Sequence, residues 1–289
     1  MNKFLRFKVM LMAISGVLWN YGISAQPPLR RAFQPEGVVN KIPYGNNPSA
    51  GKYAQAGDAN IYYEVYGKGS PIVILHGGIL GSTIEMAPFI DSLRKDHQVI
   101  AISTRGHGKS EMGQFPITYD KKADDIAAVI NAVTSQKVMV LGFSDGAYSA
   151  YKLAAKYPEK ISKMIAIGAG EQIPGLRSIN FDHQMLLSDK AYWKQQNELM
   201  PEPERLEDFW NAMQEFYNGM TASKELFNAI QCPVLVLSGE LDRNAPLMTV
   251  ISAYQMIPNA QLSIIPNTGH VCFHENFEAV WAVVKPFIR

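Results

Sequence analysis

Cysteine is scarce: Cys232 and Cys272 are the only two in 289 residues. That excludes a disulfide-stapled scaffold and any cysteine-rich metal cluster. No His, Cys and acid grouping has metal-ligand spacing either. Charge of one sign is also missing, with 27 Lys and Arg against 26 Asp and Glu. A chain without a basic excess has little with which to neutralise phosphates, which argues against nucleic-acid binding. There is no internal repeat and no low-complexity tract. The apolar stretch Val9–Trp19 is too short to span a bilayer comfortably.

That stretch follows Lys3, Arg6 and Lys8 and precedes the small-residue site Ile23-Ser24-Ala25. A basic region, an apolar region and a cleavage site in this order read as a secretory signal over residues 1–25, cut near Ala25-Gln26. The expectation is a secreted or periplasmic protein with no stable membrane insertion after cleavage. Residues 26–52 hold Pro27, Pro28, Pro35, Pro43 and Pro48, the composition of a linker or lead-in.

From Tyr53 the pattern changes. A β-rich run, Ile61–Tyr66, is followed by short apolar runs at Pro71–Leu75, Val99–Ser103, Val138–Leu141 and Met164–Ile167. Helical spacing lies between them, over 85–95, 120–134 and 146–157. This alternation predicts an α/β fold: a mainly parallel central sheet with helices on both faces. After Gly170 the rhythm stops, and residues 171–228 are expected to form a small helical cap. It returns over 229–289, with a strand at Pro233–Leu237, a helix around 247–257, a strand near Gln261–Ile265 and a last helix from Glu275. The core is thus 53–170 with 229–289.

Val138–Leu141 runs directly into Gly142-Phe143-Ser144-Asp145-Gly146 and then into a helix. A G-x-S-x-G between a buried strand and a helix makes a sharp turn that lifts the serine hydroxyl clear of the backbone. A serine hydroxyl needs a base, and the base needs an orienting acid. His270 sits just past the last strand, at the sheet edge that also carries Ser144. His274 is its nearest rival. Leu237–Asp242 supplies two acids, Glu240 and Asp242, of which Asp242 lies farther beyond the strand and has more reach. The run Gly106-His107-Gly108-Lys109-Ser110 suggests a phosphate loop, but the required glycine at 103 is Ser103.

The order Ser144, Asp242, His270 resembles the α/β-hydrolase superfamily, over roughly residues 53–289. His76-Gly77-Gly78 resembles its oxyanion segment, Thr104–Ser110 its R-G-x-G-x-S loop, and Gly239-Glu240-Leu241-Asp242 its acid loop, which favours Asp242. Ser103 departs from the family, where Asp is common, and altered local hydrogen bonding is expected there. The resemblance implies an oxyanion hole made by the backbone N–H of Asp145 and that of Gly78, or of Ile79 in its place, each worth about 3–4 kcal/mol in the transition state. His76 is read as structural. The Asp145 side chain, in a sequence similar to that of valacyclovirase-related hydrolases, could recognise a substrate cation or merely favour the helix dipole.

The implied activity is a serine hydrolase cleaving carboxylic ester or related acyl bonds through an acyl-enzyme on Ser144, with a small-molecule acyl substrate, no cofactor and no metal. The same frame carries amidases, aminopeptidases, C–C bond hydrolases and perhydrolases, and also receptor-like binders with slow or no turnover. The two cysteines are expected to be unpaired, because Cys232 lies at the amino end of its strand and Cys272 near the opposite, catalytic edge.

Overall fold

The computed structural model describes residues 29–289; the expected signal segment lies outside them. A hairpin opens the sheet, with β1 (Gly51–Ala56) antiparallel to β2 (Ala59–Tyr66). Then come β3 (Ser70–Leu75), β4 (His97–Ile102), β5 (Val138–Phe143), β6 (Ile161–Ile167), β7 (Val234–Gly239) and β8 (Ala260–Ile265). The spatial order is β1-β2-β4-β3-β5-β6-β7-β8, and every pairing from β4 to β8 is parallel. Parallel strands need crossovers, and the helices that make them cover both faces.

Alternation within single strands shows how the sheet divides its burial. Val73 and Leu75 of β3 pack with Val140 of β5 on one face, against α2 (Tyr119–Val133) and α3 (Asp145–Lys156). Ile72 and Ile74, with Leu141 and Phe143, pack on the other, against α1 (Ala87–Leu93) and the C-terminal helix. The continuous apolar runs are therefore two period-2 patterns superimposed, one for each core. Helix α2 starts where the Thr118 side chain accepts the Lys121 N–H, and it buries Ala123, Ile126, Ala127 and Ile130. It also buries Lys122 and Asp125, two charges on an otherwise apolar face.

Residues 171–228 hold α4 (His183–Leu186), α5 (Lys190–Leu199), α6 (Leu206–Gly219) and α7 (Lys224–Asn228). Trp193, Phe209, Trp210 and Met213 form a small apolar core there, together with Ile79, Met112 and Ile117 from loops of the sheet. The chain then re-enters the sheet and adds α8 (Leu247–Met256), α9 (Cys272–Glu275) and α10 (Phe277–Ile288).

One element departs from the sequence-based expectation. Strand β1 starts at Gly51, before the pattern change at Tyr53, and carries exposed residues as an edge strand can. The lead-in is bound to the body: Gly45 and Asn47 donate backbone N–H groups to the buried Glu64, and Tyr44 donates to Asp91 at 2.6 Å. Arg30 pairs with Asp189 at 3.2 Å, which ties the lead-in to the residue that begins α5.

Candidate active site

Strand β5 ends at Phe143, and Ser144, with φ 51° and ψ −116°, is the one residue between it and α3. A left-handed φ on a non-glycine residue is strained, and such strain gathers at functional turns. The neighbouring backbones allow nothing larger than glycine on either side. A side chain at Gly142 would collide with the carbonyl of Gly146, and one at Gly146 with the carbonyls of Leu75 and His76. The Ser144 N–H is held by the Ile167 carbonyl at 2.8 Å, and its own carbonyl accepts from Ala147 and Tyr148. The hydroxyl is left projecting from the turn.

The loops after β7 and β8 meet it. His270 Nε2 is 2.9 Å from Ser144 Oγ, and His270 Nδ1 is 2.8 Å from Asp242 Oδ2. Asp242 is buried, and its other oxygen accepts the N–H groups of Asn244 and Ala245 at 2.8 Å. Each carboxylate oxygen therefore has its own task, one fixing the loop and one facing the imidazole. Glu240 is exposed and instead accepts the Asn267 N–H at 3.0 Å. His274 lies on α9, away from this line of bonds but on the wall of the same cavity.

Gly78, Ile79, Ser144, Asp145 and His270 all line one cavity of about 600 Å³. Ile79 has φ 58°, a second left-handed residue at the cavity edge and a costly one for a β-branched side chain. Among the described residues, no acceptor is bonded to the N–H of Gly78, Ile79 or Asp145. Three unused donors thus border the cavity that holds the serine.

His76 is wholly buried; its Nε2 accepts the Thr104 N–H at 3.0 Å and its Nδ1 lies 2.7 Å from the Gly77 carbonyl. Burial lowers its pKa to about 4, so it stays neutral, a brace between two loops. Ser103 bonds to Thr83 across 2.9 Å, while Ser110 donates to the Ser103 carbonyl and accepts from Tyr62. Arg105 is buried in a fork with Asp125, at 2.9 and 2.7 Å, and reaches Asp58 at 2.7 Å.

The Asp145 carboxylate, read from the sequence as facing either a substrate cation or the helix dipole, is engaged by groups of the protein itself. It lies 2.6 Å from the ammonium of Lys122 and 2.7 Å from the hydroxyl of Tyr217, on α6. Its charge is already met within the protein, so no unpaired carboxylate awaits a substrate amine there. Burial alone would raise this carboxyl; Lys122 and Tyr217 outweigh it and hold it below the usual carboxylate range. The large aromatic residues of 171–228 mostly serve their own core, and the cavity receives Phe181, Met185, Leu186, Tyr217 and Met220 from that segment. Sequence reasoning missed Tyr217, Arg31, Arg177 and Arg243 as cavity-lining residues and Lys122 as the partner of Asp145. For Lys122 a signal existed, since it falls four residues before Ile126 on the buried face of α2.

Comparison with known proteins agrees with this architecture. The human serine hydrolase BPHL is 26% identical over 242 residues, covering 78% of this chain and 82% of that protein. A poly(3-hydroxyalkanoate) depolymerase of Ectopseudomonas oleovorans is 29% identical over 245 residues, covering 76% and 84%. Among solved structures, a serine hydrolase involved in carbazole degradation superposes with a TM-score of 0.70 at 21% identity, over 82% of this chain and 98% of its own. The family model described as alpha/beta hydrolase fold matches residues 70–225, more than half of the sequence. The chain belongs to the α/β hydrolase fold family.

Proposed function

We propose that this protein is a serine hydrolase of carboxylic esters or closely related acyl compounds. The observation that carries the reading is the continuous line from Asp242 through His270 to Ser144, with contacts of 2.8 and 2.9 Å. Ser144 Oγ attacks the substrate carbonyl while His270 Nε2 takes its proton. Asp242 holds the imidazole in the tautomer with the proton on Nδ1 and stabilises the cation that forms. The oxyanion of the tetrahedral intermediate is received by the N–H of Asp145 and that of Gly78 or Ile79. His270 then returns the proton to the leaving alcohol, and a water activated by the same imidazole releases the acyl-enzyme. Residues 171–228 act as the cap over this cavity, and residues 1–25 direct export. The serine hydrolase and depolymerase among the relatives support the choice of acyl chemistry.

Turnover of a short 4-nitrophenyl ester tests the reading. Ser144→Ala, with an unchanged circular dichroism spectrum, is expected to lose about 10³-fold or more of kcat/KM. Hydrolysis by that variant at near wild-type rate would remove Ser144 from the mechanism. A stoichiometric burst without turnover in the wild type would instead favour a binding protein.

A further inference from the structure

The cavity carries an unbalanced set of charges. Arg31, Arg177 and Arg243 all line it, and none has a carboxylate within 4 Å among the described residues. The acids of the same wall do not offset Arg177 or Arg243. Asp145 is taken by Lys122, and Glu85, whose carboxyl burial pushes up to about 8 against the opposing pull of the Gly77 N–H and of Arg31, faces Arg31 rather than Arg177 or Arg243.

Arg177 is the one held in a built cradle. Its Nε donates to Gln172 Oε1 at 2.5 Å and its Nη2 to the Tyr148 hydroxyl at 3.0 Å. Both partners are neutral, and both have their own protons committed elsewhere. The buried Gln172 amide donates to the carbonyls of Ile173 and Tyr217, and the Tyr148 hydroxyl donates to the Gly170 carbonyl. Gln172 and Tyr148 can therefore only accept, which fixes the guanidinium without neutralising it. Neither acid near it in sequence pairs with it: Asp182 accepts the N–H groups of Gln184 and Met185, and Glu171 accepts from the Ser223 hydroxyl. Tyr148 lies one helical turn after Ser144, and Ser144, Tyr148 and Arg177 all line the same cavity, so the fixed cation and the proposed nucleophile border one space. A guanidinium with free N–H groups and no internal counter-ion matches a carboxylate in shape and charge.

Resting on the acyl-hydrolase reading above, we propose that the substrate carries a carboxylate of its own, received by Arg177 in the field of Arg31 and Arg243. Arg177 is then a specificity-determining residue, and the enzyme acts on half-esters or other anionic acyl compounds rather than on amino esters.

The test compares paired esters in which a carboxylate is replaced by an uncharged group. On the acyl side these are 4-nitrophenyl hydrogen adipate and 4-nitrophenyl hexanoate; on the alcohol side, 4-carboxyphenyl butyrate and 4-carbamoylphenyl butyrate. In the wild type the anionic member of at least one pair is expected to have the higher kcat/KM by about 10-fold or more, as for hydrogen bonds to a charged group. Arg177→Gln should lower that ratio by a similar factor, and Arg177→Lys should restore part of it. A wild-type ratio near 1 in both pairs, or a ratio that Arg177→Gln leaves unchanged, overturns the inference while the hydrolase reading stands. If no ester is turned over, the hydrolase reading fails separately. Calorimetric binding of monomethyl adipate, present in the wild type and lost in Arg177→Gln, would then still support the anionic site, and no binding to the wild type would overturn it.

Discussion

The ammonium of Lys122 lies 2.6 Å from the carboxylate of Asp145, and both side chains are almost wholly buried, one residue beyond the proposed nucleophile. They come from α2 and α3, and Tyr217 of α6 adds a third bond to the same carboxylate. The pair thus joins the turn that shapes Ser144 to the helices around it. Such a pair contributes little net stability when intact, but breaking it strands a charge.

Lys122→Met is therefore expected to destabilise the protein by about 3–5 kcal/mol, because Asp145 is left buried and unpaired. The double variant Lys122→Met, Asp145→Asn should recover much of the loss. The sign with pH follows from the depressed Asp145 carboxyl. Its stabilisation is complete above the ordinary carboxylate range and is lost as pH falls through the folded value. Urea unfolding at several acidic pH values should show a shallower acid limb for the double variant than for the wild type. Equal stability of wild type and Lys122→Met would contradict this account of the pair.

Glu85 gives the opposite slope. Burial raises its carboxyl from 4.5 to about 8, while the Gly77 N–H that it accepts pulls the other way. Between those values the folded state holds a proton that the unfolded state has lost, so stability falls as pH rises through that window. Glu85→Gln should flatten the decline. An identical decline in wild type and variant, measured by denaturant unfolding between pH 5 and pH 9, would exclude Glu85 as its source.

The two acids of the β7 loop are separable by mutation. Asp242→Asn should cost about 10⁴-fold in kcat, since it removes the group that sets the His270 tautomer. Glu240→Gln loses only a bond to the Asn267 N–H at an exposed site and should change kcat little. A larger loss from Glu240→Gln than from Asp242→Asn would reverse the assignment.

Cys232 and Cys272 are both free thiols, and burial pushes them up to about 11 and about 12. Thiol rather than thiolate is the form present near neutral pH, so both should alkylate slowly in the native protein. Denaturation without reductant should release two reactive thiols per chain. An intramolecular disulfide found by peptide mapping would contradict the separation of the two residues across the sheet.

Much of this fold was legible because the parallel strands, buried on both faces, had to be apolar at nearly every position, as in Val138–Leu141 and Pro71–Leu75. Strand β1 was not, since Lys52, Tyr53 and Gln55 face solvent and leave no apolar run. Ser144, Asp242 and His270 could be named because each follows a strand end. What surrounds them could not. Lys122, Asp145 and Tyr217 meet from three helices, and Arg177 is fixed by Gln172 and Tyr148 through contacts that sequence spacing does not encode. The charge partner of Asp145 decides what its carboxylate can bind, and that partner is visible only in three dimensions.

Covalent trapping tests the central claim most directly. A fluorophosphonate probe should add once per chain, and peptide mass spectrometry should place the adduct on Ser144. His270→Ala should slow labelling by about 10³-fold or more, because the hydroxyl then lacks its base. An adduct on any other residue, or ester hydrolysis by a protein whose Ser144 stays unlabelled, would contradict the account.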